Sequence, residues 1–126
     1  MSEFIHEAAS PEQVLAFWFE ELTPKDWFQP DDVAALDRTI LYRFFSTHRA
    51  LAQKIGGAWR ANPEAQLAAV IVLDQFPRNI YRATPMAFAT DRLALREAKF
   101  AVASGADQAV PADRRDTLIA KRVETP

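Results

Sequence analysis

Three prolines of this chain each directly follow a residue whose side chain can cap a helix. The three pairs are Ser10-Pro11, Asn62-Pro63 and Thr84-Pro85. A capping side chain accepts a hydrogen bond from the first turn, and proline suits the first helical position because no backbone N–H bond is made there within the helix. Gln13 follows Ser10 at the spacing of a capping box. Helices are therefore predicted to begin near residues 11, 63 and 85.

Apolar residues at helical spacing, together with glycine and proline, predict how far the helices run. Asp31 or Asp32 can cap the second helix, and Gly56-Gly57 are expected to stop it in a left-handed conformation. Thr90-Asp91 can cap the fourth helix again after its first turn. A proline is expected to end the first helix before residue 24 and the third before residue 77. The expected bounds are 11–22, 31–55, 63–76, 85–105 and 112–122.

The chain lacks the sustained alternation and the Asn-Gly or Asp-Gly turns that are typical of paired strands. Ala, Leu, Arg and Glu, which are common here, favour helix. We therefore predict an all-α protein with one domain over residues 1–126. Its short connectors predict antiparallel helical hairpins. Residues 1–9 precede the first helix and are expected to be frayed.

The composition excludes several classes of function. The chain has no cysteine, which excludes disulfides, thiolate nucleophiles and cysteine-based metal sites. Its net charge of -2 predicts no general attraction to nucleic acid or anionic lipid. The longest apolar run, 67–73, is too short to span a bilayer, and the acidic N-terminus does not resemble a secretory signal. We expect a cytoplasmic protein without a membrane or nucleic-acid partner.

The helix predicted over 63–76 carries a carboxylate on its apolar side. Asp74 follows Leu67, Val70 and Ile71 at the spacing of one helix face. A buried charge is costly unless it is paired and hydrogen-bonded. We therefore expect Asp74 to be buried and to accept hydrogen bonds. The candidate partners are Arg78, Asn79, Arg82 and Arg43.

Two interpretations of this polar group remain open. Asp74 and its arginines could bind a ligand or act in acid–base chemistry within a cleft. The ion pair could instead tie the turn at Pro77 to the core. Exposure separates the two interpretations, since a site requires at least one polar atom of Asp74 or Arg78 to be open to a pocket.

Aromatic residues are frequent at helical spacing, which is more typical of a core than of a binding surface. Trp27 and Phe28 follow the first helix and are expected to pin the next connector to the core. The alternative is a groove for a peptide or a flat ligand. The aromatic residues that could line it are Trp18, Phe19, Trp27, Phe28, Tyr42, Phe44, Phe45, Trp59, Phe76 and Tyr81.

The sequence carries no recognisable metal or catalytic motif. Its two histidines, His6 and His48, are not at the spacing of a zinc site. Three glycines are too few for a phosphate-cradling loop or a dinucleotide fingerprint, and no nucleophile elbow is present. We therefore predict no metal, no cofactor and no catalytic residue.

Short motifs along most of the chain carry a family resemblance. The most specific is Asp-Gln-Phe-Pro-Arg-Asn at 74–79, within the segment from Leu73 to Arg82. The others are Val14-Leu15-Ala16-Phe17-Trp18-Phe19, Trp27-Phe28, Leu36-Asp37-Arg38, Arg43-Phe44, Trp59 and Ala87-Phe88-Ala89-Thr90-Asp91. Together they resemble a bacterial family, domain of unknown function 924 (DUF924), over roughly Val14 to Gly105.

This resemblance implies a fold but no reaction. The family has a tetratricopeptide-like α-α superhelical fold, and no activity, substrate or cofactor of the family carries over. The polar positions that match the family are expected to cluster. They are Asp37, Arg43, Asp74, Gln75, Arg78, Asn79, Arg82 and Asp91.

The chain departs from the family pattern in its C-terminal segment, residues 106–126. The family continues with a Leu-Pro and His-Ser-Glu-like motif and further helices, so this chain is expected to be a shortened or altered member. The helix bearing Leu93, Phe100 and Val102 would then be partly uncovered. An uncovered apolar face is commonly met by a second copy, so a homodimer is predicted.

The sequence thus predicts an uncharacterised bacterial protein that acts as a small helical scaffold or binding module. Its partner would be a protein or a small molecule, and it would have no catalytic activity of its own. The alternative is a small-ligand binder or enzyme that uses Asp74, Arg78 and Arg82. Asn79, Arg43 and Asp37 are further candidate ligand-binding residues.

Overall fold

Helices form the regular secondary structure of the protein. The computed structural model describes residues 4–124, and no β-strand occurs among them. The all-α prediction is therefore confirmed. The helices are α1 (an α-helix over Pro11–Leu15 that continues as a π-helix over Ala16–Glu21), α2 (Pro24–Phe28), α3 (Val33–Gln53), α4 (Pro63–Asp74), α5 (Phe76–Ile80), α6 (Asp91–Ala103), α7 (Ala106–Ala109) and α8 (Ala112–Glu124). Short 3₁₀ turns cover Gly57–Trp59 and Pro85–Phe88.

Side-chain caps fix the starts of α1, α3 and α4, as the sequence predicts. Thr84 and Thr90, the other predicted caps, make no capping hydrogen bond. Ser10 and Gln13 form the expected capping box, in which each backbone N–H donates to the other side chain, at 3.2 and 2.8 Å. Asn62 accepts a hydrogen bond at 2.8 Å from the first turn of α4. Of the two candidate caps of α3, Asp32 is the one that accepts, at 3.0 Å.

The first helix ends at Glu21, before Pro24 as expected, but Pro24 and Pro77 each also begin a new helix. Pro24 opens α2, where Asp26 accepts hydrogen bonds from the backbone and hydroxyl of Thr23 at 2.8 and 3.1 Å. Pro77 lies in the first turn of α5, and α4 has already ended at Asp74. Proline is compatible with a first turn because its missing N–H is not needed there. The predicted connector after the first helix and the predicted end at residue 76 are therefore wrong.

The predicted glycine stop of α3 is also wrong. Gly56 has φ -70°, so it is not left-handed, and α3 ends at Gln53 because Lys54 is extended. The left-handed residues in the described part of the chain are Ala83, at φ 64°, and Gly105, at φ 85°. Gly105 separates α6 from α7, a short helix that the sequence pattern did not predict.

Helix α4 lies at the centre of the fold. Every residue from Ala65 to Asp74 is buried, and α4 packs against α1, α3, α6 and α8. Burying each large aliphatic side chain contributes about 1.5–3 kcal/mol, so this helix dominates the core. Phe17, Phe44 and Phe76 pack their rings together beside it, with centroids 4.5 to 6.1 Å apart.

The segment before α1 runs along α3. The backbone N–H of His6 donates to the carbonyl of Tyr42 at 2.8 Å, and that of Ala9 donates to Thr47 Oγ1 at 2.7 Å. Of the segment expected to be frayed, residues 1–3 lie outside the described residues. In the described part of the chain, no helix is long and apolar enough to cross a bilayer.

Candidate functional site

A small open cleft lies between α2, the start of α3, and α5. Its volume is ≈ 220 Å³. We call it the aromatic–arginine cleft and define it by Trp18, Trp27, Phe28, Arg78, Asn79 and Arg82, all of which line it. Other residues that line the cleft are Asp26, Val33, Leu36 and Gln75.

One wall of the cleft is aromatic. The rings of Trp18 and Trp27 stack in parallel with centroids 5.4 Å apart, and Trp27 Nε1 donates to the Trp18 carbonyl at 3.0 Å. Phe28 follows Trp27 in α2 but is 81% exposed. Consecutive helical residues point about 100° apart, so only Trp27 can face the core. The expectation that Phe28 also pins this segment to the core is wrong.

The opposite wall carries a carboxylate cluster centred on Asp37. Arg82 Nε and Nη2 donate to its two oxygens at 2.7 and 3.0 Å, and Asn79 Nδ2 donates at 3.0 Å. The hydrogen bond to Asp37 raises the pKa of Arg82 above its usual value. The Arg82 side chain is 51% exposed, whereas that of Asp37 is mostly covered. Asp37 therefore fixes the orientation of a guanidinium that remains open to solvent.

A second cluster, centred on Asp74, lies behind the first. Asp74 is 4% exposed and accepts a hydrogen bond from Gln75 Nε2 at 2.8 Å. Arg78 Nη2 lies 3.5 Å from its carboxylate, and Arg78 Nη1 donates to the Asp74 carbonyl at 2.9 Å and to Asp91 at 3.3 Å. The Phe88 ring covers the guanidinium at 4.9 Å. Asp74 is thus buried with Arg78 as its arginine partner, whereas Arg82 binds Asp37 instead.

Arg43 does not join either cluster. It donates to both oxygens of Glu21 at 2.7 and 3.0 Å, and its guanidinium lies over the rings of Phe17 and Phe44. The hydrogen bond from Arg43 lowers the pKa of Glu21. Arg43 lies six positions after Asp37 on α3, which places them on different helix faces. Arg43 lines another cavity, of ≈ 590 Å³, between the N-terminal segment, α1 and α3.

Several buried polar side chains were not predicted from the sequence, among them Glu97 and His48. Glu97 on α6 accepts hydrogen bonds from Arg60 at 2.9 and 2.7 Å and from Arg96 at 3.1 Å. Burial raises the pKa of Glu97, but these hydrogen bonds outweigh it and leave the pKa below its usual value. Glu97 lies four residues after Leu93 and four before Ala101. Its place among the apolar residues of one helix face is therefore a sequence signal of the same kind as that of Asp74.

His48 forms a second buried polar group, which links α3 and α4 to the residue just before α6. His48 Nε2 lies 3.0 Å from Thr90 Oγ1, and that hydroxyl donates to the Leu73 carbonyl at 2.7 Å. A hydroxyl has one hydrogen to donate, so Nε2 carries the proton and donates to Thr90. Burial lowers the pKa of His48. Among the residues that the structure describes, no three His, Asp or Glu side chains are grouped so as to hold a metal ion.

Comparison with known proteins places the chain in a family. The family model described as "Bacterial protein of unknown function (DUF924)" matches residues 14–121, which extends beyond the motifs identified in the sequence. A solved protein of unknown function from Agrobacterium tumefaciens, ATU0120, is 37% identical with a TM-score of 0.80. The match covers 88% of this chain and 61% of the solved one. No curated protein matches the chain. The chain belongs to the DUF924 family of bacterial proteins.

Proposed function

We propose that this protein is a small binding module without catalytic activity of its own, and that the aromatic–arginine cleft recognises a protein partner. The observation that carries the proposal is the exposure of Arg78 and Arg82 at the cleft, beside the almost fully exposed Phe28. Aromatic and arginine side chains are enriched among the residues that dominate protein interfaces. An internal knot of ion pairs alone would not require exposed guanidinium groups.

The size of the cleft favours a partner's side chain over a whole metabolite. Small-molecule sites commonly enclose about 300–1,000 Å³, and this cleft has ≈ 220 Å³. Such a volume suits one anchoring side chain of a larger partner. The open rim, which includes Val33 and Phe28, would then contact the surrounding surface of that partner.

The state of the carboxylates supports a binding role without catalysis. Asp37 accepts three hydrogen bonds through its two oxygens. Asp74 is buried behind the cleft and is bound by Gln75 and Arg78. A general base must be able to reach the proton that it removes. Neither carboxylate presents itself to the cleft in that way.

A second candidate function is the binding or conversion of a small ligand by Asp74, Arg78 and Arg82. The exposure of both arginines also favours this candidate. Arg43 adds a separate possibility, because its cavity of ≈ 590 Å³ falls within the size range of small-molecule sites. A thermal-shift screen of metabolites separates this candidate from the first. A ligand whose stabilisation is lost in Arg78→Gln or Arg43→Gln would replace the protein-binding proposal.

Affinity capture with matched variants tests the protein-binding proposal. Phe28→Ser removes the exposed ring of the cleft, and Phe4→Ser removes an equally exposed ring elsewhere, since both are 81% exposed. A captured bacterial protein would be purified and titrated against each variant by calorimetry. We expect Phe28→Ser to weaken binding at least about tenfold, as is typical of a central interface residue, with Phe4→Ser unchanged. Equal binding by all three proteins would exclude the cleft as the interface.

We also propose a superhelical fold, a cellular location and an oligomeric state for this protein. A tetratricopeptide-like superhelix rests on the family resemblance. A cytoplasmic location is supported by the absence of cysteine, which suits a reducing compartment. A homodimer through α6 is supported by the partial exposure of Leu93, Phe100 and Val102 on that helix.

A further inference from the structure

We infer that the aromatic–arginine cleft binds an uncharged, extended peptide segment of its partner, through main-chain amides and one apolar side chain. This inference rests on the proposed function and specifies the chemistry of the partner. It follows from the orientation of the carboxamides of Gln75 and Asn79 and from the carboxylates that balance the charges of Arg78 and Arg82. It also follows from the hydrogen-bonding groups of these residues that remain for a ligand.

The carboxamides of Gln75 and Asn79 present acceptors to the cleft. Gln75 Nε2 donates to Asp74, and Asn79 Nδ2 donates to Asp37. A carboxylate only accepts hydrogen bonds, so each amide must turn its nitrogen toward the carboxylate. The oxygen of each amide then points elsewhere, and in the described part of the chain neither oxygen has a hydrogen-bond partner. Both side chains line the cleft.

The guanidinium groups present donors. Arg82 uses Nε and Nη2 for Asp37, so its Nη1 is the nitrogen left for a ligand. Arg78 uses Nη1 and Nη2 for Asp74 and Asp91, which leaves its Nε. Gln75, Arg78, Asn79 and Arg82 therefore alternate acceptor and donor along the chain. Peptide backbone carries the same two groups, one N–H and one C=O for each residue.

The charge balance disfavours an ionic ligand. Three carboxylates, those of Asp37, Asp74 and Asp91, pair with the two guanidinium groups. An anion would gain little net attraction, because the field of each arginine is already compensated. A cation would meet guanidinium groups at the contact surface, because the oxygens of Asp37 are turned toward Arg82 and Asp74 is buried. The lining carboxylate of Asp26 accepts two hydrogen bonds from Thr23. A neutral group can form the hydrogen bonds without either cost.

The aromatic wall defines the apolar part of the ligand. The apolar side chains that line the cleft are those of Trp18, Trp27, Phe28 and Leu36. Trp27 Nε1 is already bonded to the Trp18 carbonyl, so this wall offers ring surface. A ligand with one aromatic or large aliphatic side chain between two amides would satisfy both walls.

Three probes that share one side chain test the charge preference. They are N-acetyl-phenylalaninamide, which is neutral, N-acetyl-phenylalanine, which is anionic, and phenylalaninamide, which is cationic. Binding would be followed by the indole N–H signals of the three tryptophans in two-dimensional NMR. Trp18 and Trp27 line the cleft, whereas Trp59 lies in the turn Gly57–Trp59 and serves as an internal control.

We expect the neutral probe to shift the Trp18 and Trp27 signals with a dissociation constant in the millimolar range. Its affinity should exceed that of either charged probe by about fivefold or more, the effect of one net hydrogen bond. Tighter binding of the anionic or the cationic probe would overturn the inference. So would the absence of shifts with all three probes, or equal shifts at Trp59.

A variant that binds the anionic probe more tightly separates an effect of charge from an effect of misfolding, because a misfolded protein would only lose affinity. Asp37→Asn removes the charge that compensates Arg82 and should increase affinity for the anionic probe by about fivefold or more. Asp113→Asn makes the same chemical change at an exposed position on α8 and should leave the preference unchanged. An unchanged preference in Asp37→Asn would contradict the inference.

The two proposals can fail separately. Capture that depends on Phe28, combined with a preference for an ionic probe, would leave the binding module intact and exclude a neutral peptide. If the neutral probe binds but no captured partner depends on Phe28, the cleft still prefers neutral ligands. The proposed partner surface would then be excluded.

Discussion

Asp37 and Asp74 are held in the same way, although they lie on different helices. Each accepts hydrogen bonds from a carboxamide and contacts an arginine that lines the cleft. The difference between them is burial, since Asp74 is enclosed by the core around α4. The stripe of apolar residues predicted that burial. It could not predict the partners of Asp37, because Asn79 and Arg82 are 42 and 45 residues away in the chain.

Replacing Asp74 tests how much its cluster stabilises the fold. We expect Asp74→Ala to lower the free energy of unfolding by about 2 kcal/mol, because it removes a buried acceptor of hydrogen bonds from charged and amide groups. A larger loss is not expected, since the Arg78 side chain is 32% exposed and keeps Asp91. Urea denaturation measures the change. A midpoint equal to that of the wild type would show that Asp74 contributes nothing to stability.

His48 should make stability depend on pH near neutrality. Burial lowers its folded pKa below the value of about 6.5 in the unfolded chain. The contribution of neutral His48 to the free energy of unfolding is therefore complete above about pH 6.5. It is lost as the pH falls toward the folded pKa, by up to about 1.4 kcal/mol per pH unit. Denaturation at about pH 7.5 and about pH 5.5 should show this loss.

Two variants assign the effect to one histidine. His48→Gln should flatten the dependence over this range, whereas His6→Gln should retain it because His6 is exposed. Glu21 and Glu97 have lowered pKa values, so their titration falls at lower pH. A dependence that persists unchanged in His48→Gln would exclude His48 as its source.

At the scale of helices, the sequence predicted the residues at which helices begin better than the residues at which they end. The caps at Ser10, Asn62 and Asp32 act locally, within the first turn, so they could be identified without a tertiary structure. Pro24 and Pro77 were ambiguous, because a proline that ends one helix can equally begin the next. The helical conformation of Gln75 joins α4 to α5 and decides the second case.

The turn after α5 carries a strained residue. Ala83 has φ 64°, a left-handed conformation that costs a residue with a Cβ roughly 1–2 kcal/mol. Ala83→Gly removes this cost. Glycine also raises the conformational entropy of the unfolded chain, which offsets part of the gain, so we expect a net stabilisation of about 0.5–1 kcal/mol. Ala89→Gly is the matched control: Ala89 has φ -62°, and the same change there should destabilise the protein. A loss of stability in both variants by chemical denaturation would contradict the assignment of strain.

At the scale of the whole molecule, the apolar run 67–73 explains why α4 lies at the centre of the fold. A helix without a polar face must be surrounded, and α4 contacts the other helices α1, α3, α5, α6, α7 and α8. The cleft could not be predicted in this way, because α2, α3 and α5 contribute to it from separate parts of the sequence. The aromatic motif at Trp27-Phe28 indicated burial for both residues, and only the helical turn of α2 separates their environments.

The exposed side of α6 predicts the state of assembly. Phe100 is 37% exposed on this helix, beneath the guanidinium of Arg60 at 4.4 Å. If α6 forms a two-fold interface, light scattering should give twice the mass of 14.2 kDa. Phe100→Ser should then shift the protein toward monomer. A monomer for the wild type at high micromolar concentration would exclude the dimer.

The exposed arginines of the cleft are proposed to bind a partner and not to be primarily structural. Arg82→Gln tests this proposal by measuring stability and partner affinity on the same protein, with Arg92→Gln as an exposed control on α6. The Arg82 side chain is 51% exposed, and Asp37 keeps its hydrogen bond from Asn79, so the free energy of unfolding should fall by less than about 1 kcal/mol. The affinity for the captured partner should fall about tenfold or more. A loss of several kcal/mol in stability with unchanged affinity would show that the cluster is a structural knot and would contradict the account.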